Sequence, residues 1–175
     1  MEVLGFNAKR HEIVIASNEA NPIQRNIFAV SVDNGKRRLV DDNGKGWHNS
    51  VRSEDGTSLY DNYSTPDIPR NIAIVDIASG KKTSYFKAEN PWKGYDVPEY
   101  SCGTLKADDG KTDLYYRMVK PTNFDPNKKY PTIIYVYGGP HAHNVDARWN
   151  YCSRGWETYM AQKGYLLFIL DNRWR

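Results

Sequence analysis

Residues 128–141 have the sequence KKYPTIIYVYGGPH, in which β-branched and aromatic side chains are followed at once by glycine and proline. Such side chains favour a β-strand, and the Gly138-Gly139-Pro140 turn ends it. We therefore predict a buried strand over residues 132–137. In open α/β sheets, ligands bind beyond the carboxyl ends of the strands. The sequence thus places Tyr137 at a candidate site.

The residues after this turn predict a helix and a second strand. Apolar residues recur at helical spacing over residues 148–163, and Gly164 is a typical stop signal. They are Trp149, Cys152, Trp156, Tyr159 and Met160. Residues 165–170 form a continuous apolar run, which is typical of a strand buried on both faces. Together with residues 132–137 they predict a strand–helix–strand unit with parallel strands.

Two further strands are predicted before this unit, over residues 101–106 and 114–120. The Asp108-Asp109-Gly110-Lys111 segment has the composition of a turn between them. Residues 87–100 hold two prolines and a glycine without any periodicity, and we interpret them as a linker.

The first 86 residues contain an internal repeat with an offset of 45 residues. Residues 13–40 align with residues 58–85, so that Arg25-Asn26-Ile27 matches Arg70-Asn71-Ile72. A period near 45 is typical of one four-stranded propeller blade, and the alternative is two unrelated β-meanders that align by chance. Since a closed propeller needs roughly 4–8 blades, two blades indicate part of a longer protein.

Composition excludes several classes of function. The 175 residues carry 24 basic and 21 acidic side chains, a net charge of +3, and no concentrated basic run, which argues against nucleic-acid binding. No apolar run approaches 18 residues, so no membrane span is predicted, and the N-terminus does not resemble a signal peptide. Cys102 and Cys152 fit no metal-binding or CxxC spacing; we expect buried thiols, with a disulfide left open.

Other residues give only a weak sequence signal for catalysis or metal binding. His141 and His143 stand two apart, but no carboxylate or cysteine lies at ligand spacing, so no metal is expected. His11 and His48 are interpreted as surface or turn residues. The segment 151–155 approaches a Gly-x-Ser-x-Gly nucleophile elbow but lacks its first glycine. Ser153 is therefore predicted to be an ordinary helix residue, and Cys152 a core residue.

Residues 128–141 resemble the start of the catalytic domain of the dipeptidyl peptidase IV-like serine peptidases, in the prolyl oligopeptidase family. Residues 115–118 (YYRM), 120–125 (KPTNFD) and the Asp171-Asn172-Arg173 segment resemble that family too, whereas Trp174 and Arg175 depart from its pattern. The fold implied is a β-propeller joined to an α/β-hydrolase. Residues 1–86 would be two propeller blades, 87–100 a linker, and 101–175 the incomplete start of the hydrolase domain.

The resemblance also implies an activity: release of N-terminal dipeptides with Pro or Ala in second position, by acyl transfer through a Ser-His-Asp triad. Tyr137 would donate its hydroxyl to the oxyanion, and Gly138 and Gly139 would let substrate approach. The triad has no counterpart in this sequence, so we expect this chain alone to be inactive. No cofactor is implied, and relatives of this type are often periplasmic, secreted or membrane-anchored.

Two alternatives stay open. The chain could be a non-catalytic binding module, or part of another α/β-hydrolase such as an acylaminoacyl peptidase or an esterase. A Gly-x-Ser-x-Gly elbow in the codons that follow would discriminate between them. We also expect self-association, because open sheet edges pair with other chains.

Overall fold

The computed structural model describes residues 1–41, 44–139 and 143–172. The chain divides into two compact units, residues 1–89 and residues 90–175, and each is described by itself. No helix within the described ranges has the length and apolar character needed to cross a membrane.

The first unit consists of two four-stranded antiparallel sheets whose strands follow one another in chain order. The first sheet contains β1 (Glu2–Asn7), β2 (Glu12–Ser17), β3 (Asn26–Ser31) and β4 (Arg37–Leu39). The second contains β5 (Trp47–Arg52), β6 (Ser58–Thr65), β7 (Ile68–Asp76) and β8 (Lys82–Lys87). An offset of 45 carries β1 onto β5 residue for residue, and it carries β2, β3 and β4 onto β6, β7 and β8. The predicted repeat is confirmed, although the sequence pattern alone did not reveal β1 and β5.

The core of this unit comes from the inward-facing side chains of both sheets, as alternation along a strand requires. The first sheet contributes mainly Val14, Ala16, Ile27 and Ala29, and the second Leu59, Ala73, Val75 and Ile77. The turn glycines also repeat: Gly35 and Gly80 have φ of 68° and 70°. This left-handed backbone favours glycine, and the two glycines lie at equivalent positions in the two hairpin turns.

The described residues of the second unit form one four-stranded mixed sheet and one α-helix. In chain order they are β9 (Glu99–Lys106), β10 (Asp113–Lys120), β11 (Thr132–Val136), α1 (Gly155–Gln162) and β12 (Leu166–Leu170). The strand order is β11-β12-β10-β9, with β11 parallel to β12 and the other neighbours antiparallel. The predicted strand–helix–strand unit with parallel strands is confirmed.

Burial of these two strands differs from the prediction. β11 was expected to be buried, but it is an edge strand, and Ile134 and Val136 are 67% and 62% exposed. In β12 only Leu167 and Ile169 are fully buried, while the alternate residues are half-buried. The reason is that β11 lies at the edge of the sheet, while α1 packs mainly on β12 and β10.

The helix is shorter than predicted, and it buries a different face. It begins at Gly155, because Asn150, Tyr151 and Cys152 have φ of 48°, 52° and 66° and form a separate left-handed turn. Of the apolar residues at helical spacing, Trp156 and Tyr159 are exposed. The helix instead buries Glu157 and Thr158, together with Ala161. The physical reason is an ion pair with the sheet, described below.

Candidate functional site

Tyr137 directly follows β11, at the edge where the parallel strands β11 and β12 both end. A cleft of about 370 Å³ opens beside it, within the second unit. Its lining includes Leu114, Val136, Leu170, Asp108, Asp171 and Asn172. Ligand sites at the carboxyl ends of parallel strands are the general rule in such sheets. The cleft is therefore the candidate functional site.

The side chain of Tyr137 is 54% exposed, and its ring lies over the backbone of Gly139. A Cβ atom built on Gly139 would lie 2.9 Å from Cζ and 3.0 Å from Oη of Tyr137, and closer still to Cε1. Since real Cβ contacts are essentially never this short, only glycine allows this ring position. A Cβ on Gly138 would meet nothing within 4 Å. The two predicted site glycines thus have different surroundings.

Two polar residues that follow β12 hold the loops around the cleft. The amide nitrogen Nδ2 of Asn172 donates to the carbonyl oxygens of Gly139 at 2.8 Å and Tyr137 at 3.3 Å. The buried carboxylate of Asp171 accepts backbone N–H bonds from Asn144 at 2.8 Å and Val145 at 3.1 Å. One dipeptide therefore fixes both the Tyr137 turn and the segment that leads to the helix.

A buried ion pair also contacts the segment that leads to the helix. The guanidinium of Arg117 on β10 makes a two-pronged contact with the carboxylate of Glu157 on α1, and its Nε donates to the carbonyl oxygen of Asn144 at 2.9 Å. Burial by itself would raise the pKa of Glu157, but the hydrogen bonds and charge of Arg117 outweigh it and lower the pKa. Glu157 also accepts hydrogen bonds from the Ser153 hydroxyl and the Arg154 backbone, each at 3.0 Å.

Ser153 and Cys152 do not have the surroundings of a nucleophile. Ser153 was predicted to lie within the helix, but it lies just before it. Its hydroxyl donates to Glu157. Burial, together with the charge of Asp146, raises the pKa of the Cys152 thiol to about 11. A thiol with so high a pKa is protonated at neutral pH and therefore a poor nucleophile. Cys152 is half-buried rather than part of the core.

The histidines have distinct environments. Nδ1 of the exposed His143 lies 3.2 Å from Oδ1 of Asp146, and His141 lies outside the described residues. His11 is an exposed turn residue as predicted. His48, predicted at the surface or in a turn, is fully buried in β5, because polar partners surround it. Across the described part of the chain, no three His, Cys, Asp or Glu side chains are grouped to hold a metal ion.

The cysteines are not joined to each other: neither Cys102 nor Cys152 forms a disulfide, and both are half-buried. Sequence reasoning also missed the roles of Asp171 and Asn172. The signal was present, because a polar pair directly after an apolar strand marks a site at the sheet edge. The rest of that segment, Arg173 to Arg175, lies outside the described residues.

Comparison with known proteins gives a consistent family. Residues 1–70 match the family model for the dipeptidyl peptidase IV (DPP IV) N-terminal region. Over 180 residues the chain is 28% identical to "Dipeptidyl peptidase 4" of Trichophyton equinum, covering 98% of this chain and 23% of that protein. A dipeptidyl-aminopeptidase B of Sclerotinia sclerotiorum is 27% identical over 172 residues, covering 94% of this chain and 18% of the relative. The chain thus spans about a fifth of the length of these relatives.

Solved structures agree with this result. The crystal structure of a "putative dipeptidyl aminopeptidase IV" from Bacteroides ovatus matches 98% of this chain and 24% of its own, with a TM-score of 0.85 and 46% identity. Dipeptidyl peptidase 4 of Porphyromonas gingivalis has a TM-score of 0.86 at 24% identity over the same shares, which supports the fold alone. Over nearly its whole length, the chain is therefore similar to a segment of dipeptidyl peptidase IV-like proteins.

Proposed function

We propose that the full-length protein is a serine-type dipeptidyl peptidase that releases N-terminal dipeptides with Pro or Ala in second position. Residues 1–86 would contribute two blades of its propeller, and residues 101–175 the first strands of an α/β-hydrolase domain. The proposal rests on the similarity to dipeptidyl peptidases over nearly the whole chain. Peptides are the substrate class that it assigns.

Tyr137 is the residue of this chain that we assign to the chemistry. Attack of a serine on a peptide carbonyl moves negative charge onto the carbonyl oxygen, and a fixed neutral donor stabilises that charge. A tyrosine hydroxyl is such a donor, and the ring of Tyr137 lies next to Gly139 at the rim of the cleft. Its half-exposed position beyond the end of β11 is the observation that carries this assignment.

Gly138 and Gly139 were expected to let the substrate approach. The packing of Tyr137 on Gly139 gives that glycine a different function, because its missing Cβ makes room for the ring. Gly138 lies in open space at the cleft, and we propose that it borders the bound peptide.

The test is a comparison of three substrate classes with the purified full-length protein. A Gly-Pro chromogenic amide should be cleaved, and a serine-directed inhibitor should abolish cleavage. An N-acylated amino-acid amide and a simple ester should be poorer substrates. Preference for the acylated amide would identify an acylaminoacyl peptidase instead, and preference for the ester an esterase. No hydrolysis of any of them would favour a binding module.

The isolated 175-residue chain is the matched control in this assay. It holds Tyr137 but no Gly-x-Ser-x-Gly segment, so there is no activated serine for the oxyanion donor to assist. We expect no release of the chromophore from the Gly-Pro substrate. Inhibitor-sensitive release by the isolated chain would contradict the assignment of the nucleophile to another part of the protein.

A further inference from the structure

We propose that Asn172 and Gly139 are positioning residues for Tyr137, so that the polar dipeptide after β12 sets the direction of the hydroxyl that faces the substrate. The inference rests on the proposed function, and it concerns how this chain prepares its one assigned donor. Neither residue touches the reacting atoms, and both act through the geometry of the Tyr137 turn.

The need for such positioning follows from the structure. Tyr137 follows an edge strand that has a partner on one side only, and its side chain is half exposed. A ring in this position could adopt several rotamers. A donor that stabilises a transition state must already point at the developing charge, because reorientation during the reaction would offset the gain.

Gly139 leaves room for the ring on one side of the turn. The Cζ and Oη atoms of Tyr137 lie so close to the position of a Gly139 Cβ that any side chain there would displace the ring. The backbone of Gly139 is not in the left-handed region, so conformation alone does not require glycine at this position. The close packing of the ring is the feature that does.

Asn172 restricts the turn from the other side. Its Nδ2 group carries two hydrogens, and the structure places one carbonyl oxygen near each: Tyr137 at 3.3 Å and Gly139 at 2.8 Å. These two carbonyls flank Gly138, so one amide group bridges the whole three-residue turn. A carboxylate in the same place would face two acceptors and donate to neither.

The bridge also has a rigid base. Asn172 directly follows Asp171, whose backbone N–H donates to the carbonyl oxygen of Tyr115 at 3.0 Å and extends the ladder between β12 and β10. The Asp171 side chain is fully buried and binds two backbone N–H groups. Asn172 therefore directly follows the interior strand of the sheet, and its side-chain amide connects that strand to the Tyr137 turn at the sheet edge.

The decisive experiment is a double-mutant cycle on the full-length protein with the Gly-Pro substrate. Asn172→Ala should lower kcat by roughly 10- to 100-fold, since a displacement of about 1 Å has that cost, with KM little changed. In a Tyr137→Phe background, Asn172→Ala should change kcat by less than about twofold. If the two residues acted independently, their effects on kcat would add instead. Asn172→Asp should lose at least as much as Asn172→Ala.

Asn127→Ala is the matched control, since Asn127 lies in an exposed loop away from the cleft and should keep the wild-type kcat. Thermal unfolding of each variant separates positioning from folding. An equal loss of kcat from Asn172→Ala in both backgrounds would overturn the inference, and so would a loss explained by a lowered Tm.

A second pair of variants tests the other contact. Gly139→Ala should lower kcat about as much as Tyr137→Phe, roughly 10²- to 10³-fold, whereas Gly138→Ala should lose less because its Cβ enters open space. If Tyr137→Phe lowers kcat but Asn172→Ala and Gly139→Ala do not, the positioning inference alone fails. If Tyr137→Phe is as active as wild type, the proposed role of Tyr137 fails first.

Discussion

His48 is fully buried, and both of its ring nitrogens face oxygen atoms. Nδ1 lies 2.9 Å from both carboxylate oxygens of Asp61 on β6, and Nε2 lies 2.8 Å from the carbonyl oxygen of Lys45. A second buried carboxylate, from Asp41, lies 3.8 Å from Nε2, and the ring stacks on Tyr63.

A neutral imidazole has one N–H, so two acceptors favour the imidazolium form. Asp61, which also accepts from Ser50, balances its charge.

This arrangement makes the stability of the chain depend on pH. Burial alone would lower the pKa of His48, but the hydrogen bond and charge of Asp61, with Asp41, raise it above the ordinary 6.5. A raised pKa in the folded state means that the stabilisation is complete below about pH 6.5 and is lost as the pH rises through the raised value. We expect the urea midpoint of the 175-residue chain to fall with rising pH across this window.

The His48→Gln variant should lose this pH dependence, because no titrating group remains between the two carboxylates. His11→Gln is the matched control, since His11 is an exposed turn residue. Its unfolding curves should follow those of the unmodified chain at every pH. Identical pH profiles for the His48→Gln variant and the unmodified chain would show that the cluster does not carry an extra proton.

The sequence could not have revealed this cluster. A histidine in a segment of mixed polarity is most often at the surface, and its partner Asp61 lies 13 residues away on the next strand. Tyr137 is the opposite case. Its position could be predicted because it follows an apolar run directly, but the packing of its ring on Gly139 and the bridge from Asn172, 33 residues later, depend on the folded sheet.

The helix α1 turns a charged side chain toward its sheet. Its buried face contains Glu157, which pairs with Arg117 of β10, and Thr158, whose hydroxyl lies 2.8 Å from that of Tyr100 on β9. Because Arg117 is itself fully buried, removal of its partner would leave an uncompensated charge in the interior. The pair therefore fixes where α1 can dock.

We predict that Glu157→Ala destabilises the chain by about 3–5 kcal/mol, the usual cost of removing one partner of a buried ion pair. The matched control is Glu99→Ala at the Glu99–Lys120 pair, in which the Glu99 side chain is exposed, and about 0–1 kcal/mol is expected there. Denaturant unfolding of the two variants gives both values. Equal losses would mean that Arg117 finds another partner when Glu157 is absent.

The pH dependence at this pair has the opposite sign to that of His48. The pKa of Glu157 is lowered in the folded state, so its contribution is present above the ordinary glutamate range and is lost as the pH falls through the lowered value. Glu157→Gln should therefore reduce the loss of stability on acidification.

Prediction of the elements succeeded where the pattern was regular and failed where a polar contact decided the packing. The 45-residue offset located β2 to β4 and β6 to β8 in the first unit but not β1 and β5, and alternating or apolar runs located β9 to β12. The prediction of the helix was incomplete because the periodic apolar residues Trp156 and Tyr159 do not form its buried face. The buried Arg117 selects the face that carries Glu157, and no local pattern contains that information.

The molecule as a whole exposes the edge of β11, and we propose that the isolated chain self-associates there. Ile134 and Val136 project from this strand largely exposed, and an apolar unpaired edge is a template for another strand. The interior strand β12 is already paired on both sides. Protection of residues 166–170 from hydrogen exchange is thus expected in the monomer as well.

Light scattering on the dilute chain should detect the association, and Ile134→Lys should shift it toward monomer by placing a charge on the edge. Tyr95→Lys provides the control, because Tyr95 is 72% exposed but lies outside the strands. A monomeric unmodified chain at all concentrations would contradict the proposal. Equal effects of both lysines would point to net charge rather than the edge.

The proposed role of Tyr137 is tested most directly by the kcat of the full-length protein and of its Tyr137→Phe variant on a Gly-Pro chromogenic amide. Loss of one transition-state donor should lower kcat by roughly 10²- to 10³-fold while KM stays nearly constant. Tyr159→Phe, the same change at an exposed helix position, should have no effect. Wild-type kcat in the Tyr137→Phe variant would contradict the assignment of Tyr137 to the oxyanion and leave it a structural residue of the turn.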